Sequence, residues 1–346
     1  MPLQAGRPLT SGISLRTWLG LLRRREAQLV LAILAVFALS SALHHTFASA
    51  SNISFILADS VATMIVAVGQ TIVVLARGID LSVSPVLGIA AIGVGFPAQD
   101  SNLNIWLALL FVLLIGIGLG SFNGFLVAVV GIPPIITTLA TLTIYGGLQF
   151  IFTSGQEVVN IPNTYGQLGN ANMLPGIPWV IVIGAAVVGL AHFFLTKTVA
   201  GRAIYAIGNN ADASFRAGIP VRRVLFATYV ICGGLAGLAG LIYLCHVGSA
   251  DATTGSDTNV NLMSIAAALI GGTTLLGGRG GPLGAALGAV FLSEALQAMI
   301  SFRIDPIWEP AGVGALILIA VVSDRKGAPA RQLFRQAFRR PAGAPR

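Results

Sequence analysis

Long apolar runs, with neither a strand alternation nor a half-polar helical stripe, organise this chain. No Asp, Glu, Lys or Arg occurs in the 56 positions from Ser101 to Gln156, and another 39 pass without one from Val158 to Thr196. A helix that crosses a bilayer needs about 20 mostly apolar residues, and a soluble fold has no use for runs of this length. The runs fall at 27–43, 54–76, 82–97, 103–130, 135–152, 179–195, 224–245, 262–276, 281–300 and 306–322. They predict an all-α, polytopic membrane protein with about ten transmembrane segments. The runs at 82–97 and 262–276 are short, which suggests half-helices or re-entrant segments. Five runs lie on either side of 153–178, and Pro85-Val-Leu-Gly88 echoes Pro282-Leu-Gly284. An inverted repeat would produce both features. The expected division is a basic tail at 1–26, a membrane domain at 27–322 and a second basic tail at 323–346.

Charge gives the runs a direction. With the N-terminus in the cytoplasm and ten crossings, 19 of the 20 Lys and Arg residues fall inside, and only Arg303 falls outside. This is the bias that orients membrane helices. The expected topology is therefore multi-pass, with both termini cytoplasmic. The outer loops are 153–178, which has no basic residue, 246–261 with Asp251 and Asp257, and 301–309 with Asp305 and Glu309. The inner loop 196–223 is long enough to hold short helices between Gly208 and Gly218-Ile-Pro220, and a loop of that length is more often functional than passive. Only 9% of residues are charged, against about 25% in soluble domains, so an ordinary water-soluble enzyme is excluded. The net charge of +8 sits in loops and tails beside the spans, so nucleic acid is not an expected partner. Cys232 and Cys245 stand 13 apart on one expected helix, too far to pair, and read as small packing residues. The first run has no small-residue cleavage site after it, so no removed signal peptide is expected.

The 42 glycines concentrate within spans, at fourfold spacing in Gly116, Gly120 and Gly124, in Gly233 and Gly237, and in Gly284 and Gly288. Such rows allow close helix approach in lipid, within the chain or against a second copy. Polar residues in spans are costly and often functional. Asp59, Gln70, Asn123, Gln149, Glu294 and Gln297 are therefore either pathway groups or partners in helix packing. Asp80 follows Arg77 by three residues, as a local ion pair would. Neither Lys197 nor Lys326 follows a glycine, so no phosphate-binding loop is present. The four histidines show no metal spacing, no Gly-x-Ser-x-Gly occurs, and Gly277–Gly281 has no preceding strand for a dinucleotide fingerprint. No catalytic residue, metal or cofactor is expected on this chain. What remains is a channel, a secondary transporter, or the membrane part of a larger transporter.

Four segments in register resemble the ribose-type sugar permeases of bacterial ATP-binding-cassette importers. Gly78-Ile-Asp-Leu-Ser-Val83 is similar to that family's GIDLSVG. Gly120-Ser-Phe-Asn-Gly-Phe-Leu-Val127, followed by Ile132-Pro-Pro-Ile135 and Thr138-Leu-Ala-Thr141, resembles its GxxNGxLV…IPPFIxTLGT stretch. Gly201-Arg202 through Gly208-Asn-Asn210 to Ala217-Gly-Ile219 looks like its cytoplasmic coupling segment. Ser264-Ile-Ala-Ala267, Gly271-Gly-Thr273 and Gly277-Gly-Arg-Gly280 are similar to IAAVVIGGTSLxGGxG. The likeness covers roughly residues 50–325. Departures stand at Ser84 (usually Gly), Gly146 (commonly Arg), Asn261 (often Glu) and Leu296-Gln-Ala298 (commonly Asn-Asn-Gly).

The resemblance implies a permease subunit that carries a monosaccharide, ribose-like, or a related polyol. Its partners would be a cytoplasmic ATP-binding-cassette ATPase that holds the ATP, a periplasmic sugar-binding protein, the lipid bilayer and a second permease copy, most simply as a homodimer. Coupling to the ATPase would fall to Arg202, Gly208, Asn209, Asn210, Asp212, Arg216, Gly218 and Arg222, with Arg223 beside them. A neutral sugar needs hydroxyl partners, and Ser82, Ser84, Asn123, Thr138 and Gln149 would supply them, with Asp59 and Glu294 as further pathway candidates. Two alternatives stand beside this reading. One is a self-sufficient facilitator or secondary transporter using Asp59 and Glu294. The other is a permease of the same superfamily for amino acids or nucleosides.

Overall fold

A computed structural model describes residues 25–174 and 176–325, and the tail residues 1–24 and 326–346 lie outside them. Among the described residues the helices are α1 (Arg25–Leu43), α2 (Ala50–Leu75), α3 (Val83–Ser101), α4 (Ile105–Phe125), α5 (Pro134–Thr153), α6 (Asn163–Asn170), α7 (Trp179–Lys197), α8 (Val199–Asn209), α9 (Ala211–Arg216), α10 (Val221–Val247), α11 (Val260–Ile270), α12 (Pro282–Ser301) and α13 (Glu309–Arg325). The strands β1 (Asn172–Leu174) and β2 (Ile177–Pro178) pair antiparallel in the long 153–178 loop. Seven helices are long and apolar enough to cross a bilayer: α1, α2, α4 with its π-helical extension to Val130, α5, α7, α10 and α12. The all-α polytopic class is therefore observed.

The two short runs resolve differently. The run at 262–276 is short in three dimensions too. Helix α11 has 11 residues, about 16 Å at 1.5 Å per residue. The chain then turns through Gly272, Gly277, Gly278 and Gly280, all at positive φ. The run at 82–97 is not a half-helix: α3 extends over 19 residues. It reads as short because Ser84, Pro85, Gly93 and Gly95 dilute its hydropathy. Val83 through Ile92 are buried without interruption, and a helix enclosed by protein needs no bulky lipid-facing stripe.

Helices α2 and α10 form the centre and run antiparallel. Phe55 stacks on His246 at one end, with ring centroids 5.8 Å apart, Gly69 abuts Cys232 midway, and Gly78 abuts Tyr229 at the other end. The packing around them is duplicated. Helix α10 lies against α3 and α4, as α2 lies against α11 and α12, and α3 meets α5 as α11 meets α13. That exchange of neighbours is the arrangement an inverted repeat requires. The glycine rows make these contacts close: a Cβ on Gly116 would fall on the Gly233 carbonyl, one on Gly237 on the Val112 carbonyl, and one on Gly288 on the Ala267 carbonyl. Intramolecular packing thus accounts for all three rows. Both cysteines are buried and free on α10.

The loops sort to two ends. At the basic end, Gly278 N–H donates to the Leu75 carbonyl at 3.0 Å, Tyr205 to the Gly280 carbonyl at 2.9 Å, and Gly272 lies against the Arg25 side chain. At the opposite end, Val158 pairs with Ala250, Gln99 accepts from Val159 N–H at 2.9 Å, and Tyr165 donates to the Leu103 carbonyl at 2.9 Å. These contacts join 153–178 to 246–261 at one end and 196–223 to Arg77 and Gly280 at the other, each within the side that charge assigned.

Candidate functional site

The turn between α2 and α3 gathers a cluster of buried polar side chains, Gln70, Asp80, Ser82, Asn123 and Thr138. Helix α2 ends with Arg77 N–H donating to the Val74 carbonyl and Gly78 N–H to the Val73 carbonyl, both at 2.9 Å. This is a Schellman cap. Its left-handed position, φ 67°, is held by Arg77, where glycine is usual. Asp80 follows, 1% exposed. Its Oδ1 accepts from Ser82 N–H at 3.0 Å and from Ser82 Oγ–H at 2.7 Å. Asn123 on α4 donates to Ser82 Oγ at 2.7 Å. Thr138 on α5 donates to the Ile79 carbonyl at 3.1 Å. The Gln70 amide satisfies the Asp80 main chain, donating to its carbonyl at 3.1 Å and accepting from its N–H at 3.2 Å. Buried backbone outside a helix persists only where its polar groups are paired, and this network pairs them. The expected Arg77–Asp80 ion pair does not form: Asp80 accepts from Ser82, while Arg77 reaches the other way, to Gly208 and Asn209. Replacing Asn123 by leucine strips Ser82 of a donor inside the bundle. A loss of about 2–3 kcal/mol is expected, read as a lower detergent melting temperature with membrane insertion intact.

A second cluster supports a re-entrant segment. After Ala250 the chain turns back into the bundle, where the Ser84 hydroxyl donates to the Gly255 carbonyl and Gln149 donates to the Thr254 carbonyl at 3.0 Å. Gly255, at φ 84°, lies so close to the Ser84 carbonyl that a side chain has no room. Asp251 Oδ1 accepts from Thr253 N–H, Thr253 Oγ and Thr254 Oγ1 at 2.8–3.1 Å. Burial raises its carboxyl pKa, but hydrogen bonds from Thr253 and Thr254 outweigh that and hold it below the ordinary carboxylate value. The turn's stabilisation is then present at neutral pH and is lost only as pH falls through that lowered value. A cavity of about 90 Å³ lies here, lined by Tyr243, Asp251, Thr253 and Asp257 among others.

The structure therefore brings Ser82, Asn123 and Thr138 to one turn and Ser84 and Gln149 to another. All five are at most 1% exposed and bonded to backbone or to each other. The two membrane carboxylates differ. Asp59 is exposed on α2 and accepts from Ser293 Oγ at 3.1 Å. Glu294 is 3% exposed, and neither of its oxygens has a hydrogen-bond partner among the described residues.

At the basic end the 196–223 loop folds into α8 and α9. Thr198 caps α8 by accepting from Gly201 N–H at 3.0 Å, and Asn210 caps α9 by accepting from Ala213 N–H at 2.9 Å, as short helices require. Ile204, Ile207 and Gly208 are buried against the bundle, while Arg202, Asn209, Asn210, Asp212, Arg216, Gly218, Arg222 and Arg223 are exposed. Phe215, 73% exposed, projects among them. Sequence reasoning missed Phe215, although an aromatic within a polar basic loop was a visible signal. It also missed the tie from Arg77, for which no local signal exists. No group of three or more His, Cys, Asp or Glu among the described residues is placed to hold a metal.

A multi-pass helical bundle with a re-entrant segment at one end and a capped helical platform at the other is built as a membrane permease. The family model described as "Branched-chain amino acid transport system / permease component" matches residues 52–321, and the chain belongs to that family of transport permeases. It is 34% identical to the Autoinducer 2 import system permease protein LsrC of Enterobacter sp. (strain 638) over 88% of each chain. It is 35% identical to a probable ABC transporter permease protein, y4mJ, of Sinorhizobium fredii over 90% of this chain and 93% of that one. It is 33% identical to LsrC of Yersinia enterocolitica over 87% and 82%. These relatives are transporter subunits, not enzymes, and they support the resemblance drawn from the four motifs. No solved structure matches the chain.

Proposed function

We propose that this chain is the permease subunit of an ATP-driven importer for a small, neutral, hydroxyl-rich solute of monosaccharide size. One observation carries the choice of substrate class. Among the described residues no Lys or Arg lies in the interior of a span: Arg25, Lys197, Arg222 and Arg223 sit in the terminal turns of theirs, and the rest lie outside the seven spans. The carboxylate of an amino acid calls for a cation or an equivalent donor array in the low dielectric of a membrane, whereas a sugar needs only hydrogen-bond partners. The names of two of the three relatives, which concern autoinducer 2 import, lean the same way. A separate ATPase docks on the exposed faces of α8 and α9 in the cytoplasm, and a periplasmic binding protein docks on the opposite end. The five buried polar residues fix the backbone breaks at 78–82 and 250–259 and do not meet the solute in this conformation. Asp59 is exposed within a span, which hydrocarbon does not tolerate, so that face lines the path or meets the second permease copy of a homodimer.

The same exposed Asp59, with the partnerless Glu294, supports a second reading, a self-sufficient carrier driven by an ion gradient. Proteoliposomes separate the two. The first reading expects ATP-dependent uptake of labelled ribose or a related polyol only when chain, ATPase and binding protein are all present, with no competition from leucine. Uptake by the chain alone contradicts it and favours the carrier.

A further inference from the structure

We propose that Arg77 is the positioning residue that ties the ATPase-facing helices to the broken segment ahead of α3, so that its removal uncouples hydrolysis from transport. The inference rests on the permease reading above. Helix α8 ends at Asn209 with no basic residue in its last turn, leaving carbonyls at its negative dipole end unanswered from within. Arg77, from the far side of the joint, answers them. Its Nε donates to the Gly208 carbonyl at 2.7 Å and its Nη2 to the Asn209 carbonyl at 2.9 Å.

Three segments close on this point without slack. Gly208 is pressed against the Leu75 carbonyl and Gly278 N, Gly278 against the Asn209 side chain, and Gly277 against Arg77 Cγ. On the other side of Arg77, the next five residues are held by Thr138, Gln70 and Asn123, on α5, α2 and α4. A displacement of α8 therefore reaches the α2–α3 turn both through the packing of Ile204 and Gly208 on the end of α2 and through the Arg77 guanidinium, which alone grips the end of α8 by hydrogen bonds from the turn itself. Arg77 sits in the left-handed position of the cap, where a side chain is disfavoured and glycine is free. An arginine kept in that position is explained by the contacts of its guanidinium, not by the turn.

That conflict makes the test decisive. Arg77→Gly relaxes the turn while cutting the tie, and Arg77→Lys keeps a charge but loses the two-pronged grip. The complete transporter, with its ATPase and binding protein, would be reconstituted in proteoliposomes and read for melting temperature, ATP hydrolysis and uptake. For Arg77→Gly, where relief of the turn offsets the two lost hydrogen bonds only in part, we expect a melting temperature at most a few degrees below wild type, ATPase assembly and basal hydrolysis within twofold, and at least a tenfold fall in solute moved per ATP. Arg77→Lys is expected to fall between. Wild-type transport per ATP in Arg77→Gly overturns the proposal, as does loss of transport in proportion to a lowered melting temperature. If the wild-type complex shows no ATP-dependent uptake, the permease reading fails, and the variants are not reached.

Discussion

Replacing Gly233 by leucine is expected to leave no monodisperse folded protein after detergent extraction, the largest stability effect of any single substitution considered. Gly233 faces Gly116 and Gly120 across the α4–α10 contact, and a Cβ there would collide with the Gly116 carbonyl and with Gly120 Cα. Both obstacles are backbone, so no rotamer change relieves them. In lipid the helices are held by van der Waals contact and not by water exclusion, so separating them forfeits the interaction that joins them. Overpacking usually costs about 1–3 kcal/mol. Here the helices themselves must part, and a loss above about 3 kcal/mol is expected. Gly118→Leu on α4, the facing helix, is the control. Gly118 has open space around its Cβ position, so size-exclusion profiles should stay like wild type.

Exchanging Gly208–Gly218 for a flexible Gly-Ser linker of equal length is expected to abolish ATP-driven uptake, below about 1% of wild type, with insertion retained. The exchange removes α9, its Asn210 cap and the exposed Phe215, and it leaves the two backbone carbonyls that Arg77 grips without a fixed position. It leaves the helices that meet lipid untouched. Uptake assays on proteoliposomes matched for inserted protein check it, and surviving transport counts against a coupling role for this segment.

How much of this was legible in the sequence follows from which forces are local. Spans were readable because lipid imposes its demand residue by residue, and the basic loops oriented them for the same reason. The Gly116–Gly120–Gly124 row announced close packing, since only a missing Cβ permits it. The length of α3 was misread because burial against protein removes the need for a continuous apolar stripe. Asp80 was misread because its neighbourhood is assembled from afar: Gln70 and Asn123 come from different helices, and no spacing rule joins positions 80 and 123. The re-entrant 250–259 segment was invisible for a related reason. Asp251-Ala-Thr-Thr-Gly255 has the composition of a surface turn, and only Ser84 and Gln149, more than 100 residues upstream, draw it inward.

Every functional assignment depends on the two ends of the bundle facing opposite compartments, with α8 and α9 on the cytoplasmic one. Single-cysteine labelling in intact cells tests this most directly, because Cys232 and Cys245 are buried and contribute little background. Thr164→Cys on α6 and Ala217→Cys beyond α9 place thiols at exposed positions on opposite ends. A membrane-impermeant maleimide should label the first in intact cells and the second only after the membrane is opened. Labelling of both from the same side, or of Ala217→Cys alone in intact cells, would contradict the account.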